Sequence, residues 1–484
     1  MYNNITEKIN ESDLFISYLA PELIQRYRII PLKKENQTLY IGISDLTRIE
    51  IFSNIAFQTG LNIKPIYVNE KEIENWIKNN IDETTFYHQF ETTLSQVAIR
   101  ESSPSNDEIV NHDEPIINFV DQLLEEAIHQ HVSDIHIESF ENTCRIRFRH
   151  DGILQENISI PIHLAQRIMS RLKIMANLNI TEKRIPQDGK IHFKKQGKID
   201  IRINICPTLF GEKAVLRLFN SDHASLGINT LGMSKQQEEI FLQALSQPQG
   251  LILVTGPTGS GKTTTLYSAL NHLNKIEKNI STVEDPVEIE LPGVNQVNIN
   301  PSIGLDFTMI LRALLRQDPD VIMIGEIRDK ETATIAIQAA QTGHLVLSTL
   351  HTNDAIHSII RLRALGISVE NILNSIHLVI AQRLLRMICQ HCQALSLPQY
   401  SLNSALHCNQ CYHGYQGRTG VFELLPIPTS LINMTANLTN ITQFIYELTK
   451  YKLSSLRESG LEKVHIGITN NAELTRVFGI EAYK

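Results

Sequence analysis

The chain has 484 residues, 42% hydrophobic and 20% charged, and its 44 basic against 52 acidic side chains leave a formal net charge of -8. That length and mix fit two to four ordinary globular domains, and the acidic balance argues against nucleic acid as the primary partner, which needs clustered Lys and Arg. No run approaches 18 consecutive apolar residues, and the N-terminal MYNNITEKINESD lacks the apolar core of a secretory signal, so a cytoplasmic protein that reaches membranes through partners is expected.

Residues 1–81 alternate strand and helix patterns. Leu39–Ile43 and Ile63–Val68 read as strands, while Leu46–Gly60 and Glu70–Ile81, with the single Trp76, read as helices. Residues 82–112 are polar, contain Ser-Ser-Pro-Ser and read as a flexible linker. A second α+β module covers 113–220. Its amphipathic helix carries Ile116, Val120, Leu123, Leu124 and Ala127, strands follow at Asp134–Glu138 and Arg145–Arg149, and Asp151-Gly152 supplies a turn. A helix over Ala165–Leu178 and strands at Ile199–Ile205 and Ala214–Phe219 complete it, and 221–229 reads as a hinge.

From residue 230 the pattern changes to short apolar strands separated by helical segments: Leu251–Val254, Ile280–Val283, Val321–Ile324 and Leu345–Ser348. This is the signature of a mostly parallel, doubly wound sheet with ligands at the strand C-termini. The first strand runs into TGPTGSGKTTT, with Gly256, Pro257, Thr258, Gly259, Ser260, Gly261, Lys262, Thr263 and Thr264 forming a phosphate-binding loop. Glycines let backbone N–H groups converge, and the helix starting near Gly261 adds its positive end. Lys262 reaches β- and γ-phosphates and Thr263 ligates Mg2+, so ATP and Mg2+ are the expected ligands.

The second strand ends in Glu284-Asp285-Pro286-Val287-Glu288, where a carboxylate can hold Mg2+ through water or polarise a nucleophilic water; alone it could equally be an exposed acidic turn. The third ends in Gly325-Glu326, so glycine stands where most such ATPases place Asp, and Glu326 is placed to act as general base. Asp320 lies at the far end of that strand and is given no metal role. His344 and His351 flank the fourth strand; a lone histidine is more often structural, but this pair in this context favours a functional role for both, with His351, at the ligand-facing end, sensing the γ-phosphate. Further on, Cys389-x2-Cys392-x15-Cys408-x2-Cys411 has the spacing of a tetrathiolate Zn2+ site, closed and therefore structural.

TGPTGSGKTT, STVEDPVE, LRQDPDVIMIGEIRD and TGHLVLSTLHTNDA, in this order and spacing, resemble the hexameric secretion ATPases of type IV pilus assembly and type II secretion. The resemblance extends back to SDIHIE and RIPQDGK and forward to the cysteines and GRTGVFELL, covering roughly 113–484. It implies a RecA-like ATPase core over 230–385, a zinc subdomain over 386–420 and a helical subdomain over 421–484. It also implies a homo-hexamer that turns an inner-membrane platform protein and lifts pilin into a filament. Arg202 and Arg217, with Arg184 less closely matched, correspond to basic residues that relatives supply to the nucleotide from the preceding domain, though each could be a surface ion pair. Lys190 stands where relatives often have Arg and is left out of the set because it lacks the bidentate fork. Some relatives double the N-terminal domain and bind a cyclic dinucleotide through an Arg-Leu-Gly repeat; this chain has one short module without that triplet, which favours docking of a cytoplasmic or membrane adaptor. Pilus assembly is preferred over type II secretion, a retraction motor is disfavoured by the tetracysteine segment, and an idle P-loop scaffold is disfavoured by intact Lys262, Thr263, Glu284 and Glu326.

Overall fold

The computed structural model describes residues 24, 28–35, 38–44, 52, 56, 61–69, 73, 76, 114–193, 199–219, 227–394, 411, 413–428, 446–451 and 454–479. The chain divides into two compact units, Met1–Leu124 and Glu125–Lys484. The first holds a three-stranded sheet in which β1 (Ile29–Glu35) pairs antiparallel with β2 (Thr38–Ile43), and β2 pairs parallel with β3 (Asn62–Tyr67). Ile30, Leu39, Ile41, Ile73 and Trp76 are buried together. The sequence pattern finds β2 and β3 and misses β1, whose central Pro31-Leu32-Lys33-Lys34 breaks the alternation. The expected linker over 82–112 and most of the expected helix over Leu46–Gly60 lie outside the described residues.

Helix α1 (Glu114–His129) leads into an antiparallel sheet of six strands in the order β6-β5-β4-β9-β8-β7. These are β4 (Asp134–Ser139), β5 (Thr143–His150), β6 (Ile153–Pro161), β7 (Gln187–Phe193), β8 (Ile199–Thr208) and β9 (Gly211–Phe219). Helix α2 (Ile162–Met175) packs its buried Leu164, Ile168, Met169 and Leu172 on β5, β6 and β9. The alternation in β4 and β5 sends Ile135, Ile137, Ile146 and Phe148 to the core and leaves charge on the other face. There Glu138 meets Arg147 at 2.9 Å, Lys213 at 3.0 Å and Arg145 at 3.1 Å.

The third sheet has seven strands in the order β12-β11-β13-β14-β10-β15-β16. They are β10 (Gly250–Thr255), β11 (Ile280–Glu284), β12 (Asn295–Asn298), β13 (Val321–Ile324), β14 (Leu345–Leu350), β15 (Ile376–Ile388) and β16 (Tyr415–Pro426). All pairings are parallel except β15 with β16. Leu251, Leu253, Ile322, Ile324 and Val346 enter one apolar cluster, while Ile252, Val254, Met323 and Leu347 enter another. Successive residues thus face opposite layers, which is why these strands read as unbroken apolar runs. The first layer contains α5 (Phe307–Leu314), α6 (Lys330–Gln341), α7 (Ala355–Ala364) and α8 (Val369–Ser375), and the second α3 (Lys235–Leu245) and α4 (Lys262–Leu273). A short α9 (Gln390–Ala394) follows β15, and α10 (Leu456–His465) and α11 (Asn471–Phe478) pack on the β15–β16 side. The subdomain boundaries expected at 385/386 and 420/421 both fall inside strands, because β15 and β16 form one long antiparallel ribbon that belongs to the seven-stranded sheet.

Candidate functional site

The C-terminal ends of β10, β11, β13 and β14 lie side by side in parallel register, so the loops that follow them converge. After Thr255 the backbone turns at Gly256, with φ 153°, where an added Cβ would sit 2.5 Å from the carbonyl oxygen of Gln382. Only glycine accommodates that approach. Pro257, Thr258 and Gly259 are exposed, and Gly261, at φ 86°, opens α4 without a side-chain cap. Its first N–H groups therefore face the loop, as phosphate binding needs. Ser260 Oγ is buried with no hydrogen-bond partner, a second polar group in the loop that an anion would satisfy. Lys262 Nζ donates to the carbonyls of Gly256 at 2.9 Å and Pro257 at 3.1 Å. Burial lowers the Lys262 pKa below the usual lysine range, Glu326 opposes this, and nearby Arg383 adds to it. Thr263 is exposed on the first turn of α4, beside Thr264, available to a cation.

Glu326 follows β13 and takes a short hydrogen bond from Arg328, while His351 Nε2 after β14 lies 3.4 Å from its other oxygen. Burial works against ionisation, but Arg328 and His351 outweigh it and hold the Glu326 carboxyl below the usual range. Arg328 also lies 3.6 Å from Asp285. The neighbouring ends are locked together: Thr349 Oγ1 donates to the Gly325 carbonyl at 2.7 Å, and Ile327 N–H to the Thr349 carbonyl at 3.0 Å. A Cβ on Gly325 would lie 3.3 Å from the Val283 carbonyl oxygen and 3.4 Å from Glu284 Cα. The missing Asp thus has a steric counterpart in the close approach of β11 and β13.

Glu284 is not an exposed turn residue. Its side chain is buried and accepts from Tyr267 Oη at 2.6 Å, Thr282 Oγ1 at 2.6 Å and Gln296 Nε2 at 3.1 Å. Arg202, on β8, reaches the same loop: it donates to the Val287 carbonyl at 2.7 Å and pairs with Glu288 at 3.0 Å. Arg217 is held by Asp134 at 3.0 Å, and its charge is felt at Glu288. Arg184 pairs with Glu182 two residues away and is exposed.

The structure places His344 apart from this cluster. It precedes β14, and its ring bonds the Ala339 carbonyl at 3.0 Å, closing the C-terminus of α6. In a parallel sheet that is the end opposite the phosphate loop, about 20 Å away at strand rise. Asp320 likewise sits at the far end of β13, accepting from Asn279 N–H at 2.7 Å. Arg383, Gln382 and Tyr267 escaped the sequence reading. Arg383 lies on β15 within the electrostatic range of Lys262, and Gln382 accepts from Thr265 Oγ1 at 2.7 Å. A polar pair inside the apolar run HLVIAQRLL was their one visible signal.

Cys389 follows β15 and Cys411 precedes β16, so the ribbon closes on the cysteines. The sulfurs of Cys389, Cys392 and Cys411 all lie within 4.8 Å of one another, with Cys392 and Cys411 3.4 Å apart. Three converging thiols fit Zn2+ chemistry; Cys408 lies outside the described residues.

A family model described as Type II/IV secretion system protein matches residues 110–476, and one described as MshEN domain matches 7–85, the span of the expected first module. The type IV pilus assembly ATPase PilB of Acinetobacter baylyi is 43% identical over 481 residues, covering 94% of this chain and 83% of the relative. The type II secretion system ATPase E of Vibrio cholerae is 43% identical over 398 residues, covering 78% of this chain and 79% of the relative. Among solved structures, the pilus retraction motor PilT with bound ADP is similar with a TM-score of 0.53 at 27% identity, over 74% of this chain and 96% of that one. The ATPase DotB of Legionella pneumophila shares the fold, with a TM-score of 0.57 at 20% identity over 78% of this chain and 97% of that one.

Proposed function

Because this chain belongs to the Type II/IV secretion system protein family, we propose that it is an ATP-hydrolysing motor that drives assembly of a type IV pilus or competence pseudopilus. The observation that carries this is Glu326, anchored by Arg328 and His351 at the strand end beside the phosphate loop, where its charge acts on Lys262. In this reading the loop N–H groups and Lys262 hold the β- and γ-phosphates. Glu326 takes the proton of the attacking water, and His351 senses the γ-phosphate through its contact with Glu326. Mg2+, when bound, neutralises phosphate charge; Thr263 would hold it, with Glu284 acting through water. Cys389, Cys392 and Cys411, together with Cys408, would hold a structural Zn2+.

The pilus relative aligns over 94% of this chain, first module included, whereas the secretion relative aligns over 78%. That difference favours the pilus branch. No helix among the described residues is long and apolar enough to cross a membrane, which supports work through partners. A cytoplasmic homo-hexamer would turn an inner-membrane platform protein, with the first module docking an adaptor. Arg202 would act beside the nucleotide of its own chain, and Arg217 on that of a neighbour.

Phosphate release separates the readings. Lys262→Ala and Glu326→Gln are each expected to fall at least about 100-fold below wild type. Equal rates in all three would leave only a scaffold. Deletion in the cell decides the branch: lost surface pili or DNA uptake supports assembly, and exoproteins trapped in the periplasm support secretion. Mixed hexamers of Arg217→Ala and Lys262→Ala subunits, verified to co-assemble, should recover activity if Arg217 serves a neighbour.

A further inference from the structure

Tyr267 lies on α4, five residues beyond Lys262, and is buried at 2% exposure. A phenol in the interior has to find partners, and this one has two on the same loop. Its hydroxyl donates to Glu284 Oε2 at 2.6 Å and accepts from the Glu288 N–H at 3.2 Å. Glu288 in turn pairs with Arg202 at 3.0 Å. The Tyr267 oxygen therefore joins the P-loop helix to the β11 end and to the backbone of Glu288, whose side chain Arg202 holds. Thr282 and Gln296 take two more of the roughly four acceptor positions of Glu284, so the direction of the remaining lone pair is set by three donors, of which only Tyr267 rides on the P-loop helix.

We propose that Tyr267 is a positioning residue for hydrolysis: its hydroxyl makes Glu284 and the 285–288 loop move with the P-loop helix, and passes that position to Arg202. This rests on the motor reading above, and in particular on Glu284 working at the nucleotide. The rest of the ring only fills space between α4 and the sheet. Removing the oxygen alone therefore leaves the packing and disconnects the carboxylate.

The test uses the full-length protein and MgATP. Tyr267→Phe should lower kcat roughly tenfold while KM for MgATP stays within about twofold, because phosphate binding by Lys262 is untouched. In a Glu284→Gln background, the same change should cost less than about twofold further, since the group it positions is already neutral. Melting temperatures of all variants identify a folding defect: Tyr267→Phe, which strips a donor from buried Glu284, should show a modest drop, and Tyr267→Leu, which loses ring and hydroxyl, a larger one. A wild-type kcat for Tyr267→Phe, or the same fold-loss in both backgrounds, overturns the proposal. A Glu284→Gln enzyme with full kcat overturns it too, through the role of Glu284. If Lys262→Ala also keeps full activity, the motor reading itself has failed.

Discussion

At the residue scale, several opposite charges can together hold one buried carboxylate ionised. Glu138 is the clearest case: burial opposes its ionisation, but Arg147, Lys213 and Arg145 hold its pKa down to about 2. A depressed carboxyl contributes stability that is complete above its unfolded value and lost as pH falls through the folded one. The window here runs from about pH 4.5 down to about 2. Glu138→Gln should therefore cost about 3 kcal/mol at neutral pH, and that penalty should shrink through this window, as read by chemical denaturation at each pH. Glu326 follows the same sign at the site. Removing its strongest opposing partner, in Arg328→Ala, should raise its pKa and move the acid limb of kcat/KM to higher pH. An unmoved limb would mean that Glu326 is not the titrating base.

At the scale of elements, the strands at the centre of the ATPase sheet were legible and those at its margins were not. β10, β13 and β14 announce themselves as apolar runs because both faces are covered. β12 at that sheet's edge, like β6 and β7 at the two edges of the six-stranded sheet, is polar on one side, so the pattern dissolves into loop. β15 has a buried first half and a half-exposed second half, and its length was hidden by that change. The site divides along the same line. The phosphate loop and Glu326 are local in sequence and were readable, while Arg383, Gln382 and Tyr267 depend on the β10–β15 pairing and on α4 packing against the β11 end. The Gly325 departure was visible in sequence, but its reason was not. Gly325→Asp should lower stability by about 1–2 kcal/mol through its contact with Val283 and Glu284, with no gain in activity. Thermal unfolding and MgATP titration measure both halves of that statement. For the cysteine hairpin, metal analysis of fresh protein should find about one Zn2+ per chain, and Cys408→Ser should lose it while nucleotide binding persists.

At the scale of the whole molecule, the six-stranded sheet and the ATPase sheet lie in one compact unit, linked by Arg202 to Val287 and Glu288 and by Asp151 to the Gly417 N–H at 2.9 Å and Arg418 at 3.4 Å. Arg202→Ala should lower kcat about tenfold or more, since Glu288 and the Val287 carbonyl lose their cation. An unchanged kcat would make Arg202 an ordinary ion pair.

The ribbon of β15 and β16 has a mechanical consequence. Gln382, at its middle, touches the turn at Gly256 and the helix of Lys262; Arg386, four residues on, is gripped by buried Glu473 at 2.8 Å and stacks on Tyr415; Cys389 follows the last residue of the strand. A paired ribbon is stiff along its length, so it behaves as a crankshaft between the fuel chamber and the cysteine tip, about 20 Å apart by strand rise. Hydrogen exchange at 413–418 should then respond to nucleotide in the wild type and stop responding when Glu473→Gln loosens the bearing.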